Sequence, residues 1–159
     1  MKKYSLLFFV LIVFSCSKND PTAFSSEALN DVFISMDAKE FQFKEILVKN
    51  RGKKIVIDVW ASWCKDCLES LPEIKKLQSN NSDFVFLFLS LDKDLESWKN
   101  GVERLQIKGQ HYFIKSGWEG DFGNFLNLNW IPRYLVINEE GKILIFNETR
   151  VSKSLVLKK

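Results

Sequence analysis

Two apolar runs dominate the hydropathy pattern of the chain, Ile55-Val56-Ile57-Asp58-Val59-Trp60 and Phe84 to Leu91, each bounded by polar residues. Near-continuous apolar character over so short a run predicts a strand covered on both faces. Between them Leu68, Leu71, Ile74 and Leu77 form a stripe of helical period, predicting a helix over 64–78 in which Pro72 implies a kink. Beyond the second run Leu95, Trp98, Val102 and Leu105 recur at helical spacing and predict a helix over 92–106. Shorter signals fill the flanks. Val32-Phe33-Ile34 and Phe41-Gln42-Phe43 predict an N-terminal hairpin around a turn at 37–39, and 44–50 predicts a short helix ending before Gly52. Tyr112-Phe113-Ile114 predicts a strand and 122–128 a short helix; Tyr134–Ile137 and Lys142–Phe146 predict a hairpin about 138–141. Strand, helix, strand, helix, strand and a closing hairpin imply an α/β fold, with helices on both faces of a mixed sheet. After Phe146 only the weakly apolar stretch 151–157 remains, so any terminal helix is expected to be short.

The N-terminal segment changes this picture. Met1-Lys2-Lys3, an apolar block from Leu6 to Phe14 and then Ser15-Cys16-Ser17 read as an export signal, too short to span a bilayer. Val13-Phe14-Ser15-Cys16 resembles a bacterial lipobox, whose cysteine is diacylated and becomes the mature N-terminus, although Phe14 is bulkier than is usual there. An ordinary cleaved signal or an uncleaved anchor is the alternative. The expected division is a lipoprotein signal peptide over 1–15, a lipidated tether over 16–30 and one domain over 31–159, on the periplasm-facing, extracytoplasmic side of a bacterial membrane. Removing 1–15 takes away Lys2 and Lys3 and lowers the net charge from +3 to +1 over 144 residues. That length suits one domain with its own core, and so small a basic excess argues against a nucleic-acid partner.

With Cys16 acylated, the three cysteines reduce to one pair, Cys64 and Cys67. One pair is no structural disulfide framework, and redox work accounts for it better. At the start of the helix over 64–78, Cys64 would meet unpaired N–H groups and the positive end of the helix dipole, which favour thiolate over thiol. A free cysteine titrates near ~8.5, and a Cys-X-X-Cys turn at a helix start lowers that to roughly 3.5–7.5. Cys64 is therefore the expected nucleophile, and Cys67, one turn on, its resolving partner.

Trp60-Ala61-Ser62-Trp63-Cys64-Lys65-Asp66-Cys67, with Pro72 behind it, resembles the active-site signature of the thioredoxin superfamily. Trp130-Ile131-Pro132-Arg133-Tyr134 followed by Gly141-Lys142 is similar to that superfamily's cis-proline segment and last hairpin. The long stretch between Cys67 and Pro132 resembles, more narrowly, the membrane-tethered TlpA/ResA-like thiol-disulfide oxidoreductases of bacteria. The resemblance implies a thioredoxin-like three-layer fold with the TlpA-type insertion and an N-terminal hairpin. It also implies a cis bond before Pro132, with Ile131 offering its backbone to an extended substrate, and one of Trp60 and Trp63 in the core while the other borders the site. Trp63, Ile131 and Pro132 are the expected substrate contacts.

Asp58 stands where thioredoxins carry a buried aspartate; within an apolar strand its pKa should rise, and it could exchange a proton with Cys67. Ser70 occupies the position where tethered reductases often carry glutamate, and Lys65 and Asp66 oppose each other in their effect on Cys64. The lone His111 is expected in a surface or satisfied core role; two thiols and one histidine are too few for structural zinc. No proline-threonine segment precedes Cys64, which argues against a peroxiredoxin.

The expectation is a thiol-disulfide oxidoreductase that reduces disulfides of exported proteins and needs no cofactor or metal. Analogy suggests apocytochrome c as a substrate and a membrane electron donor of the DsbD/CcdA type as a partner. An oxidant or isomerase of the same fold, or a copper(I)-binding adaptor, is the alternative.

Overall fold

The computed structural model describes residues 20–151 and 155 of the 159-residue chain. Five helices and seven strands follow in order: α1 (Ser26–Asn30), β1 (Val32–Ser35), β2 (Glu40–Gln42), α2 (Phe43–Lys49), β3 (Ile55–Trp60), α3 (Lys65–Asn80), β4 (Val85–Ser90), α4 (Leu95–Leu105), β5 (Gln110–Ile114), α5 (Asp121–Phe125), β6 (Arg133–Ile137) and β7 (Ile143–Glu148). The two apolar runs are β3 and β4, in which every residue is buried. They pair in parallel near the middle of one seven-stranded sheet of order β2-β1-β5-β4-β3-β6-β7. β5 continues the parallel block, while β1 and β6 join it antiparallel and carry the two hairpins as edges.

Strand side chains alternate between faces, which assigns the layers. Phe33 of β1 meets Phe43 of α2 and Phe122 of α5 with ring centroids 5.3 and 5.2 Å apart, so α2 and α5 cover that face. Trp98 of α4 lies 5.9 Å from Phe113, next along β5 from Tyr112 and Ile114 and therefore on the opposite face. Asp58 and Tyr134 are register partners, and Tyr134 bonds to Ser70 of α3, which places α3 over their face. Helices thus lie on both sides of a mixed sheet, as the element order predicts.

Local chemistry moves several predicted boundaries. Phe43 ends no strand: Gln42 and Glu45 form a reciprocal capping box, so the helix begins at Phe43, which is buried at its first turn. The helix expected from residue 92 begins at Leu95, because Asp94 caps it by accepting from the Ser97 N–H while Asp92 is committed elsewhere. α3 runs through Pro72 to Asn80, two residues beyond its expected end.

The tether predicted over 16–30 is corrected in its second half. Phe24 lies 4.9 Å from the Phe43 ring and 5.2 Å from that of Phe125, Ala28 is buried, and Ser25 caps α1 by accepting the Ala28 N–H. Residues 24–30 therefore pack on the domain, ahead of its expected start at 31. The polar run that suggested a tether conceals Phe24, just ahead of the Ser25 cap, and Ala28 within the short helix that follows. The predicted signal peptide over 1–15 and Cys16 lie outside the described residues, as does most of the predicted tail; Val151 is half-buried and Leu155 is helical and buried. No helix among the described residues is long and apolar enough to cross a membrane.

Candidate redox site

The chain leaves β3 at Trp60 and reaches Cys64 through a tightly held loop. Both carboxylate oxygens of buried Asp92 accept from the Ser62 N–H at 3.1 Å; one also takes the Ser62 hydroxyl and the other the Ser90 hydroxyl, each at 2.7 Å. Gly101 of α4 leaves no room for a side chain against Ser62. The loop is clamped from both sides, which fixes where the next residue starts a helix.

Cys64 is the N-cap of α3, and its Sγ accepts the Cys67 N–H at 3.1 Å. The two cysteines form a disulfide with their Cα atoms 5.3 Å apart. Once reduced, the Cys64 sulfur would keep this N–H and the helix dipole, both of which favour its thiolate. The Ile131–Pro132 peptide bond is cis, and the Ile131 carbonyl oxygen lies 3.6 Å from the Cys64 Sγ. The structure therefore brings Cys64, Cys67, Ile131 and Pro132 together. Of the two tryptophans, Trp60 is in the core and Trp63, 53% exposed, stands at the site.

A groove of about 340 Å³ opens beside Cys64, walled by Trp63, Trp118, Asn129 and Trp130 and floored by Ile131. Trp118 went unrecognised in the sequence because it lies in a stretch with no periodic pattern. Trp130 opens the cis-proline segment, and that resemblance alone gave it no role at the site. On the other side of Trp130 lies a second cavity of about 640 Å³, lined by Asp66, Glu69, Ser70, Glu73, Pro132 and Arg150 among others.

Asp58 is buried in β3, its Oδ1 has no hydrogen-bond partner, and burial pushes its pKa up to about 8. Across the strand pair, the Tyr134 hydroxyl lies 2.8 Å from the Ser70 hydroxyl. Ser70 donates its single proton to the Cys67 carbonyl at 2.8 Å, so Tyr134 is the donor in that pair. Burial first, and the neighbouring Asp58 second, hold the Tyr134 phenol above its ordinary range. Ser70, noted in the sequence for lacking a carboxylate, thus ties Tyr134 to the turn that carries Cys67. Glu69 is exposed and lies 3.6 Å from Lys65. His111 packs in the core, stacked on Phe88 at 5.1 Å with Nε2 2.9 Å from the Ile107 carbonyl oxygen.

A thioredoxin-like family model matches residues 52–143. The chain is 24% identical to the thiol-disulfide oxidoreductase ResA of Bacillus cereus over 159 residues, covering 91% of this chain and 88% of that one. It is 32% identical to a candidate thiol-disulfide oxidoreductase from Bacteroides vulgatus known in solution, with a TM-score of 0.65 over 79% of this chain and 80% of that one. A thiol-disulfide oxidoreductase from Bacteroides fragilis shares the fold, with a TM-score of 0.64 at 19% identity over 82% of this chain and 94% of that one. A closed Cys-X-X-Cys disulfide capping a helix beside a cis-proline, within a chain so matched, belongs to the thioredoxin-like family, among its ResA-like thiol-disulfide oxidoreductases.

Proposed function

We propose that the chain is an extracytoplasmic disulfide reductase of exported proteins, held at a bacterial membrane through a diacylated Cys16. The observation that carries the redox reading is the disulfide itself, formed by the N-cap of α3 and buried Cys67 with the Ile131 carbonyl at its side.

In the reduced protein, the Cys64 thiolate attacks one sulfur of a substrate disulfide and expels the other as a thiolate, forming a mixed disulfide. Asp58 takes the proton of the Cys67 thiol. The Cys67 thiolate then attacks the Cys64 sulfur, releasing the second substrate sulfur and closing the Cys64–Cys67 disulfide. Two electrons pass to the substrate. A carboxyl titrating at about 8 exchanges protons readily near neutral pH, which suits this step. Ile131 and Pro132 seat the substrate backbone and Trp63 borders it. An exported reductase must be recharged, so a membrane electron donor of the DsbD/CcdA type is the proposed partner and apocytochrome c a proposed substrate.

The test is the reduction potential of the Cys64–Cys67 couple, equilibrated with dithiothreitol or glutathione buffers. A value near about −270 mV, as in thioredoxin, supports the reductase. One near about −120 mV, as in strong oxidants, overturns it in favour of a disulfide donor. For the anchor, a Cys16→Ser protein should leave the membrane fraction; unchanged partitioning would remove lipidation from the proposal.

A further inference from the structure

Two adjoining depressions that share Trp130 and Asp66 differ in character, and the smaller of them reaches Cys64. On one side three indoles, those of Trp63, Trp118 and Trp130, line the groove that reaches Cys64, with the Lys65 and Asp66 charges of opposite sign at its edge. Trp63 and Trp130 are more than half exposed, at 53% and 58%, which is unusual for such large apolar side chains. On the other side Asp66, Glu69 and Glu73 face a cavity whose one basic lining residue is Arg150. Lys65 lies 3.6 Å from Glu69, whereas Asp66 and Glu73 have no ion-pair partner among the described residues. Beside the reacting sulfur the surface is thus aromatic, and past Trp130 and Asp66 it becomes acidic.

We propose that this surface selects an extended polypeptide segment with an apolar, preferably aromatic, side chain on one side of its reacting cysteine and a basic side chain on the other. The proposal rests on the redox reading above and gives it a substrate class. An extended chain advances about 3.3 Å per residue and repeats its facing every second residue. With the substrate cysteine directed at Cys64, residues two positions away on either side therefore face the same surface, about 7 Å from it. One flanking side chain enters the indole groove and the other reaches Asp66 and Glu73. The indoles supply stacking area, and the carboxylates supply attraction that salt weakens.

The experiment uses the reduced full-length protein and synthetic heptapeptides, each with a central cysteine held as its mixed disulfide with 2-mercaptoethanol. The flanking positions carry Trp and Lys, Trp and Glu, Ala and Lys, or Ala and Ala, in both orders. Second-order rate constants are compared with that for 2-hydroxyethyl disulfide. One Trp-and-Lys order is expected to react about tenfold faster than Ala-and-Ala. Exchanging its Lys for Glu should remove most of that gain at low salt and little of it at high salt.

The readout in variants is the ratio between peptides, which a general loss of activity does not mimic. Trp130→Ala should flatten the Trp-to-Ala ratio, and Glu73→Lys, on the exposed face of α3, should turn the Lys-over-Glu preference around. Equal rates for all peptides, with 2-hydroxyethyl disulfide still reduced, would overturn the docking proposal and leave the redox reading standing. Failure to reduce the small disulfide would overturn both.

Discussion

Asp58 and Tyr134 face each other in register on β3 and β6, beneath α3, and both are buried. Burial raises the Asp58 carboxyl from 3.8 to about 8, so the folded protein holds a proton that the unfolded chain has released. The contribution of this group to stability is complete below pH 4 and is lost as pH rises toward 8. Over that window the loss is on the order of 5 kcal/mol. Asp58→Asn removes the dependence. In urea titrations the variant should match the parent near pH 4 and exceed it by several kcal/mol near pH 8; parallel curves would contradict the burial of this carboxyl.

The same carboxyl carries a kinetic expectation. If Asp58 takes the Cys67 proton, decay of a mixed disulfide at Cys64 should quicken as pH rises through about 8 and then level. In Asp58→Asn that inflection should vanish and the step should slow by roughly 100-fold at pH 8. Stopped-flow decay of the mixed disulfide measures it. An unaltered inflection would transfer the role to another group.

Tyr134→Phe separates packing from hydrogen bonding at the same place. The phenyl ring still fills the site, and Ser70 still donates to the Cys67 carbonyl, so the loss is one neutral hydrogen bond of about 1 kcal/mol. Tyr134→Ala removes the buried ring as well and should cost about 3–5 kcal/mol. Denaturation midpoints compare the two directly; a Phe variant as weak as the Ala variant would mean that the hydroxyl pair, not the ring, holds α3 to β6.

Gly101→Ala sets helix propensity against sterics. Alanine is favoured over glycine by about 1 kcal/mol within a helix. Its Cβ would overlap the Cβ of Ser62, whose backbone N–H and hydroxyl are both fixed by Asp92. Overpacking of this kind costs about 1–3 kcal/mol, so the sterics win. The variant should be less stable and slower to react at Cys64, measured by urea titration and by alkylation of the reduced protein. A more stable variant would show that the loop yields.

The central strands and the dithiol were legible because each is a local signal: two unbroken apolar runs, and two cysteines one helical turn apart. Pro132 was legible through family resemblance. Contacts between distant residues were not. Ser70 and Tyr134 are 64 positions apart, and their pairing needs both the β3–β6 register and the face that α3 covers. Asp92 reads as an ordinary helix-start residue; only the fold reveals that it reaches back 30 residues to Ser62 while Asp94 does the capping. Trp118 carries no period, and its place beside Cys64 comes from the path of the β5–α5 connection.

The N-terminal segment offers the plainest contrast between pattern and packing. A lone phenylalanine in a polar run looks like tether, yet the Phe24 ring sits among Phe43, Phe122 and Phe125, with centroids 4.9, 6.2 and 5.2 Å away. Truncating a buried aromatic costs about 3–5 kcal/mol, a large share of the roughly 5–15 kcal/mol that stabilises a typical domain. Phe24→Ala should therefore lower the urea midpoint sharply. Lys44→Ala, which removes the exposed 2.9 Å bond to Asn30 at the C-terminal end of α1, should change stability by no more than about 0.5 kcal/mol. Equal effects of the two would return residues 24–30 to a tether; the expected disparity makes the segment part of the core that positions α2 and α5.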